Sequence, residues 1–104
     1  MDRELAIHAA EVLKAVAHPV RLLIVEALQD GERSVGQIIS ALGEKQAIIS
    51  QQLNLMKDKG VLTCRREGTK VYYRIRNPNV IRVLDCVYDH CNGTAKINRY
   101  LLRN

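Results

Sequence analysis

A mostly α-helical fold with one small antiparallel β-hairpin (α+β) is predicted by three observations. Apolar residues recur at helical spacing as far as about Lys59, with breaks at His18-Pro19, Asp30-Gly31 and Gly43. Two runs rich in β-branched and aromatic residues, Val61 to Arg65 and Lys70 to Arg76, flank Glu67-Gly68-Thr69. A further amphipathic stretch follows Asn77-Pro78. The predicted order is four helices, the hairpin and a fifth helix, in a single domain spanning residues 1–104.

Taken in order, Leu5, Ala9, Val12, Leu13 and Val16 form one helical stripe between Arg3 and Ala17. Pro19 starts the second helix at its first turn, where a missing amide hydrogen costs nothing. Val20, Leu23, Ile24, Ala27 and Leu28 make its expected inner stripe. Ser34-Val35-Gly36-Gln37 has the spacing of a capping box. It opens a short third helix with Val35, Ile38, Ile39 and Leu42 inward and Gly43 at its end. The fourth helix is expected from about Lys45 to Lys59, burying Ile49, Leu53 and Met56, with Gly60 as its C-cap. Asn77 and Pro78 cap and start the fifth, which reaches His90 to Asn92. After Gly93, the residues Ile97, Tyr100, Leu101 and Leu102 suggest one last amphipathic segment.

Composition narrows the function. The chain has 104 residues, no Trp or Phe and only four Tyr, so Leu, Ile and Val must build the core. Thin cores of this size are often stabilised by oligomerisation. Sixteen Lys and Arg against eleven Asp and Glu, a formal charge of +5, favour an anionic partner. No apolar run is long enough to span a bilayer, and the first residues carry no secretory pattern. A cytoplasmic location with reduced cysteines is expected, and three cysteines do not suit a disulfide scaffold. There is no glycine-rich phosphate loop, nucleophile elbow, HExxH motif or carboxylate cluster, so an enzyme is not expected.

A short helix, a tight glycine turn and a longer helix make a helix-turn-helix at about residues 34–59, with a wing at about 61–76. The presumed outer face of the longer helix supports double-stranded DNA as the partner. Lys45, Gln46, Ala47, Ser50 and Gln51 are small or amide-bearing, and only Lys45 is charged. Amides pair with adenine edges and methyl groups touch thymine methyls, whereas an ordinary solvated face would carry more Glu and Lys. Arg65, Arg66 and Lys70 sit about the hairpin tip, where they can meet phosphates. Ile48, beside Ile49, adds a partly exposed apolar residue to that face. A winged-helix module that binds protein instead is the rival from another class.

The segments LKAVAHPVRLLIVEAL, GERSVGQI, QAIISQQLNLMKDKGVL and RREGTKVYYRI together resemble the ArsR family of bacterial winged helix-turn-helix regulators. The likeness runs from about Glu11 to His90. It implies a homodimeric repressor that binds an inverted-repeat operator and leaves it when an inducer arrives. It also implies dimerisation through the first and fifth helices, about residues 3–17 and 78–92. Independently, Val80, Ile81, Val83, Leu84, Val87 and Tyr88 make the fifth helix more apolar than one packed face requires.

The resemblance also says where an inducer could act. The family's Cys-Val-Cys site for arsenic and cadmium falls on Ser34-Val35-Gly36-Gln37, which has no thiol. The zinc type, with Asp and His at the two ends of the fifth helix, falls on Asn77, Asn79, Asp89 and Gly93, which cannot make a tetrahedral site. The fourth helix contains no cysteine. Redox- and sulfide-responsive members pair a second-helix cysteine with one late in the fifth, but Glu26 stands at the second-helix position. There remain Cys64, Cys86, Cys91 and the neighbouring His90. Cys64 shares a strand face with Leu62 and suits a buried small residue. Cys86 and Cys91 lie about 140° apart around a helix, too divergent to pair within one regular helix. Thiolates select soft ions, so one expectation is an inducer such as trivalent arsenic. A redox or reactive-sulfur switch on the same thiols is the alternative, and so is a regulator without any small-molecule inducer. His90 could ligate a metal or lower a neighbouring thiol's pKa, or be a surface residue favoured by the helix dipole.

Overall fold

The computed structural model describes residues 1–91, with side chains as far as His90. The five helices are α1 (Arg3–Val16), α2 (Pro19–Leu28), α3 (Val35–Leu42), α4 (Gln46–Asp58) and α5 (Asn79–Cys91). Three strands, β1 (Arg33–Ser34), β2 (Leu62–Glu67) and β3 (Lys70–Ile75), form an antiparallel sheet in the order β1-β3-β2.

Local chemistry sets most of the boundaries. The Asp2 carboxylate accepts from the Leu5 amide at 2.7 Å and caps α1. His18 Nδ1 accepts from Val20 N at 3.1 Å to cap α2, a helix-start role as expected for His18. The capping box at α3 is complete: Gln37 N donates to Ser34 Oγ at 3.1 Å, and Ser34 N donates to the Gln37 side chain at 2.9 Å. Gly43 then takes φ +66°, a left-handed conformation that turns the chain from α3 into α4 and that a side chain would strain. At the far end of α4 Lys59 is the cap and Gly60 follows it. Gly60 N bonds Lys57 O at 2.9 Å and Val61 N bonds Met56 O at 3.0 Å, closing the helix in a Schellman motif. The wing turn is the two residues Gly68 and Thr69, with Gly68 at φ +62° and no non-glycine residue at positive φ among the described residues. That pattern suits a type II′ hairpin.

The core is aliphatic, as the composition requires. Ile24, Leu28, Ile38, Ile49, Leu53, Met56 and Leu62 are among its fully buried members, and Tyr73 is its one aromatic residue among those described. α2 lies at the centre, touching α1, α3, α4, α5 and β3.

Three expectations need correction. β1 joins the hairpin as a third strand, pairing Arg33 with Tyr73 and Ser34 with Tyr72. A two-residue strand has no periodicity, and it exists only because β3 offers its free edge. In α2, Leu23 is 45% exposed while Val25 is buried. Leu22-Leu23-Ile24-Val25 is apolar on every side, so the spacing alone did not define the inward face. In α1, Leu5 and Leu13 are 52% and 53% exposed, because only the C-terminal half of that helix, with Ala15 and Val16, reaches this core. Ile97, Tyr100, Leu101 and Leu102 lie outside the described residues.

Candidate nucleic-acid interface

The exposed face of α4 is held by what lies beneath it. Ile49, Leu53 and Met56 are 0–1% exposed and anchor the helix to the core, which leaves the opposite side to solvent. Gln46, Ala47, Gln51 and Asn54 lie on that exposed side, and Ser50 is half-buried at its margin. Lys45 is the N-cap residue and is exposed. No side chain caps the first turn of α4, so its amides and the Lys45 ammonium concentrate positive potential there. Ile48 is half-buried, packed against the core.

The wing stands beside this face. An open groove of ≈ 1110 Å³ runs between α3, the start of α4 and the wing tip, bordered by Gly36, Ser40, Gln46, Ser50, Thr69 and Lys70. A second, of ≈ 470 Å³, lies between α4 and the wing strands, bordered by Ser50, Asn54, Lys57, Cys64, Arg65 and Arg66. Ser50 borders both. Recognition helix and wing thus enclose a concave surface, with an apolar floor that includes Val35 and Val71 and with cations at its edges, a shape and edge charge that a nucleic-acid backbone fits.

The wing cations differ in their surroundings. Arg66 opposes Val71 and shares that strand face with Cys64 and Leu62, turned toward α4. Neither Arg66 nor Lys70 makes an ion pair among the described residues. Arg65 is held by Glu32 at 2.5 Å and Glu67 at 2.7 Å, and its guanidinium lies 4.6 Å from the Tyr72 ring centre. The hydrogen bond from Arg65 holds the Glu32 carboxyl below its ordinary 4.5, against some desolvation and helped by the positive charge of Arg65 and Arg74. The folded state therefore favours the carboxylate. Its link to Arg65 is complete above the ordinary value and is lost as pH falls through the lowered one. A carboxyl-detected NMR titration should place the Glu32 midpoint below 4.5. In Arg65→Gln it should return toward that value; an unchanged midpoint would show that Arg65 is not its cause.

Comparison with known proteins decides the class. Residues 18–63 match the arsR family of bacterial regulatory proteins. The chain is 35% identical over 83 residues to the biofilm growth-associated repressor of Agrobacterium fabrum, covering 80% of this chain and 71% of that protein. This chain belongs to the ArsR family. Its fold resembles the crystal structure of the transcriptional repressor BigR from Xylella fastidiosa, with TM-score 0.78 and 33% identity over 86% of this chain and 95% of that one. It also resembles the solution structure of the homodimeric winged helix-turn-helix DNA-binding domain Mb0332 from Mycobacterium bovis. There the TM-score is 0.70 at 36% identity, covering 90% of this chain and 89% of that one. The ArsR-family chain is a DNA-binding transcriptional regulator, not an enzyme.

The thiols of this ArsR-family regulator occupy separate elements. Cys64 is half-buried on β2, beside Tyr73 and open to the groove along α4. Burial and the neighbouring Cys64 raise the Tyr73 phenol above its ordinary value. Cys86 is exposed and free on α5, and His90 is exposed one turn later. Cys91 ends α5, and its side chain lies outside the described residues. Among the described residues no three His, Cys, Asp or Glu side chains gather as a metal site. Glu26 does acquire a partner on α5: the Tyr88 hydroxyl donates to it, and that bond is the main cause of the raised Tyr88 pKa. No helix among the described residues is long and apolar enough to cross a membrane.

Sequence reasoning missed Asn54 and Lys57. Asn54 falls four and three residues beyond Ser50 and Gln51, and Lys57 three beyond Asn54, so the same helical face continues through both. That spacing could have found them had the face been continued past the first two turns of α4.

Proposed function

We propose that this chain is a homodimeric repressor whose two α4 helices enter successive major grooves of an inverted-repeat operator. The observation that carries the proposal is the exposed side of α4: the neutral hydrogen-bonding side chains of Gln46, Ser50, Gln51 and Asn54 with the methyl of Ala47, bordered by Lys45, Lys57, Arg66 and Lys70. Neutral amides read base edges in the groove, while cations at the rim hold the phosphates and set the register. Two such helices related by a two-fold axis match half-sites one DNA turn apart.

Gln51→Ala is the direct test. Operator affinity should fall by about 1–3 kcal/mol while affinity for scrambled DNA stays the same. Both affinities should weaken steeply with salt, as counterion release requires. Equal losses on both duplexes, or binding indifferent to salt, would remove α4 as the sequence reader and favour a protein-binding module.

The proposed signal is a thiol-reactive inducer, trivalent arsenic or a similar soft ion, acting on Cys86 and Cys91 of α5. Exposure of Cys86 supports access, and thiolate chemistry supports the ion class. Redox or reactive-sulfur chemistry at the same cysteines is the second reading, favoured by the exposure of Cys86 as a free thiol. Arsenite, zinc, a disulfide oxidant and a persulfide donor, applied separately to reduced protein on operator DNA, distinguish the two by which one releases it. Release that persists in Cys86→Ser/Cys91→Ser eliminates the late pair from both.

A further inference from the structure

Arg65 differs from every other cation at the candidate interface because all three of its guanidinium nitrogens are already donating. Nε and Nη2 reach the two oxygens of Glu32 at 3.1 and 2.5 Å, and Nη1 reaches Glu67 at 2.7 Å. The side chain rides over Tyr72, with its guanidinium carbon 4.6 Å from the ring centre. Register explains how one residue reaches so far. Arg65 opposes Tyr72 on β3, and Tyr72 in turn opposes Ser34 on β1. Arg65 therefore spans the whole sheet on the face turned away from α4, from β2 to the loop between α2 and β1. Glu32 lies 33 positions away in sequence.

Its donors are already taken. A phosphate could reach the Arg65 guanidinium only by displacing Glu32 and Glu67 from it. Both arginines border the groove along α4, but Arg66, on the opposite strand face, has no ion-pair partner among the described residues. Neighbouring arginines thus have different work.

We infer that Arg65 is a positioning residue that, with Glu32, Glu67 and Tyr72, fixes the wing against the α2–β1 loop, leaving Arg66 and Lys70 to meet the DNA backbone. A planar fork suits this role, since it can bind one carboxylate side-on, reach a second and stack on a ring at once; a lysine ammonium cannot. A wing held in place needs less ordering when DNA arrives, so operator affinity gains without an added phosphate contact. The inference rests on the DNA reading above and deepens it.

The test uses the full-length protein, a duplex that the wild type selects from a randomised inverted-repeat pool, and a scrambled duplex, across a range of salt. Arg65→Lys, Arg65→Gln and Glu32→Ala should each lower the preference for the selected duplex by about fivefold. The salt slope should stay at the wild-type value in all three. Arg66→Gln should instead reduce the slope by about 0.9, one phosphate contact, and weaken both duplexes alike. All these positions are exposed or at the sheet margin, so thermal melts should remain close to wild type and exclude misfolding.

The opposite pattern overturns the inference: Glu32→Ala keeps or raises the preference, Arg65→Gln lowers the slope as Arg66→Gln does, and Arg65→Lys restores it. Arg65 would then be a phosphate ligand that Glu32 merely occupies. If the wild type prefers no duplex over the scrambled one, the DNA reading itself fails. That result precedes any variant and so is distinct from failure of the positioning role alone.

Discussion

Leu53→Ala is expected to destabilise the protein by about 3–5 kcal/mol, the cost of deleting a buried leucine side chain and leaving a cavity. Leu53 is 1% exposed and sits mid-way along α4, where that helix meets α2, α3 and β2. α3 is fixed at its start by the capping box and α4 at its end by the Schellman motif, so they cannot close readily on the void. A domain of this size holds only about 5–15 kcal/mol in total, so a loss of that order takes much of its stability. Urea unfolding at fixed protein concentration measures it, with concentration held because any dimer contributes to the apparent stability. The adjacent Asn54→Ala should change stability by less than about 0.5 kcal/mol, since the residue is exposed and has no partner to lose among the described residues. Its effect should fall on operator binding instead. Two neighbouring positions on one helix then separate folding from recognition. A Leu53→Ala loss under about 1 kcal/mol would mean that α4 rests on the core less firmly than its burial indicates.

What the sequence made legible was local. The capping box at Ser34 and Gln37, the glycine turn at Gly43 and the inward set Ile49, Leu53 and Met56 depend on residues within a few positions of one another, and each stands in the fold as expected. The outward set Lys45, Gln46, Ala47, Ser50 and Gln51 follows from the same periodicity, as its complement. What was not legible was non-local. The strand at Arg33–Ser34 exists because β3 lies beside it, and nothing in two residues announces that edge. The engagement of Arg65 by Glu32 joins positions 33 apart, and the bond from Tyr88 to Glu26 joins positions 62 apart. Arg65 and Arg66 are identical as letters. Only the pleat, which sends consecutive side chains to opposite faces of β2, gives them different partners. The α2 helix shows a further limit, because a run apolar on all sides leaves its inward face to be chosen by neighbours.

Leu5→Glu with Leu13→Glu is expected to convert the protein from dimer to folded monomer and to lower operator affinity by about a hundredfold or more. Leu5 and Leu13 are half-exposed and eight positions apart in α1, so they lie on one side of that helix, with Ala9 and Val12 between them. The same helix spends only Ala15 and Val16 on the core as fully buried residues. A helix so apolar and so little buried by its own chain is suited to a second copy. Burying two carboxylates there without partners costs several kcal/mol, enough to dissociate a dimer of ordinary affinity. Because neither leucine is buried in the described chain, far-ultraviolet circular dichroism should still report a helical protein. Sedimentation should fall from about twice the 11.8 kDa chain mass to that mass. The DNA consequence follows from geometry. In a dimer the second half-site binds as an intramolecular event, and a monomer loses that gain while its α4 face is untouched. Affinity for an isolated half-site should therefore match that of the wild type, and only the inverted repeat should discriminate. A variant that stays dimeric would move the interface away from this side of α1. A monomer that binds the repeat as tightly as the wild type would show that the two recognition helices do not act together.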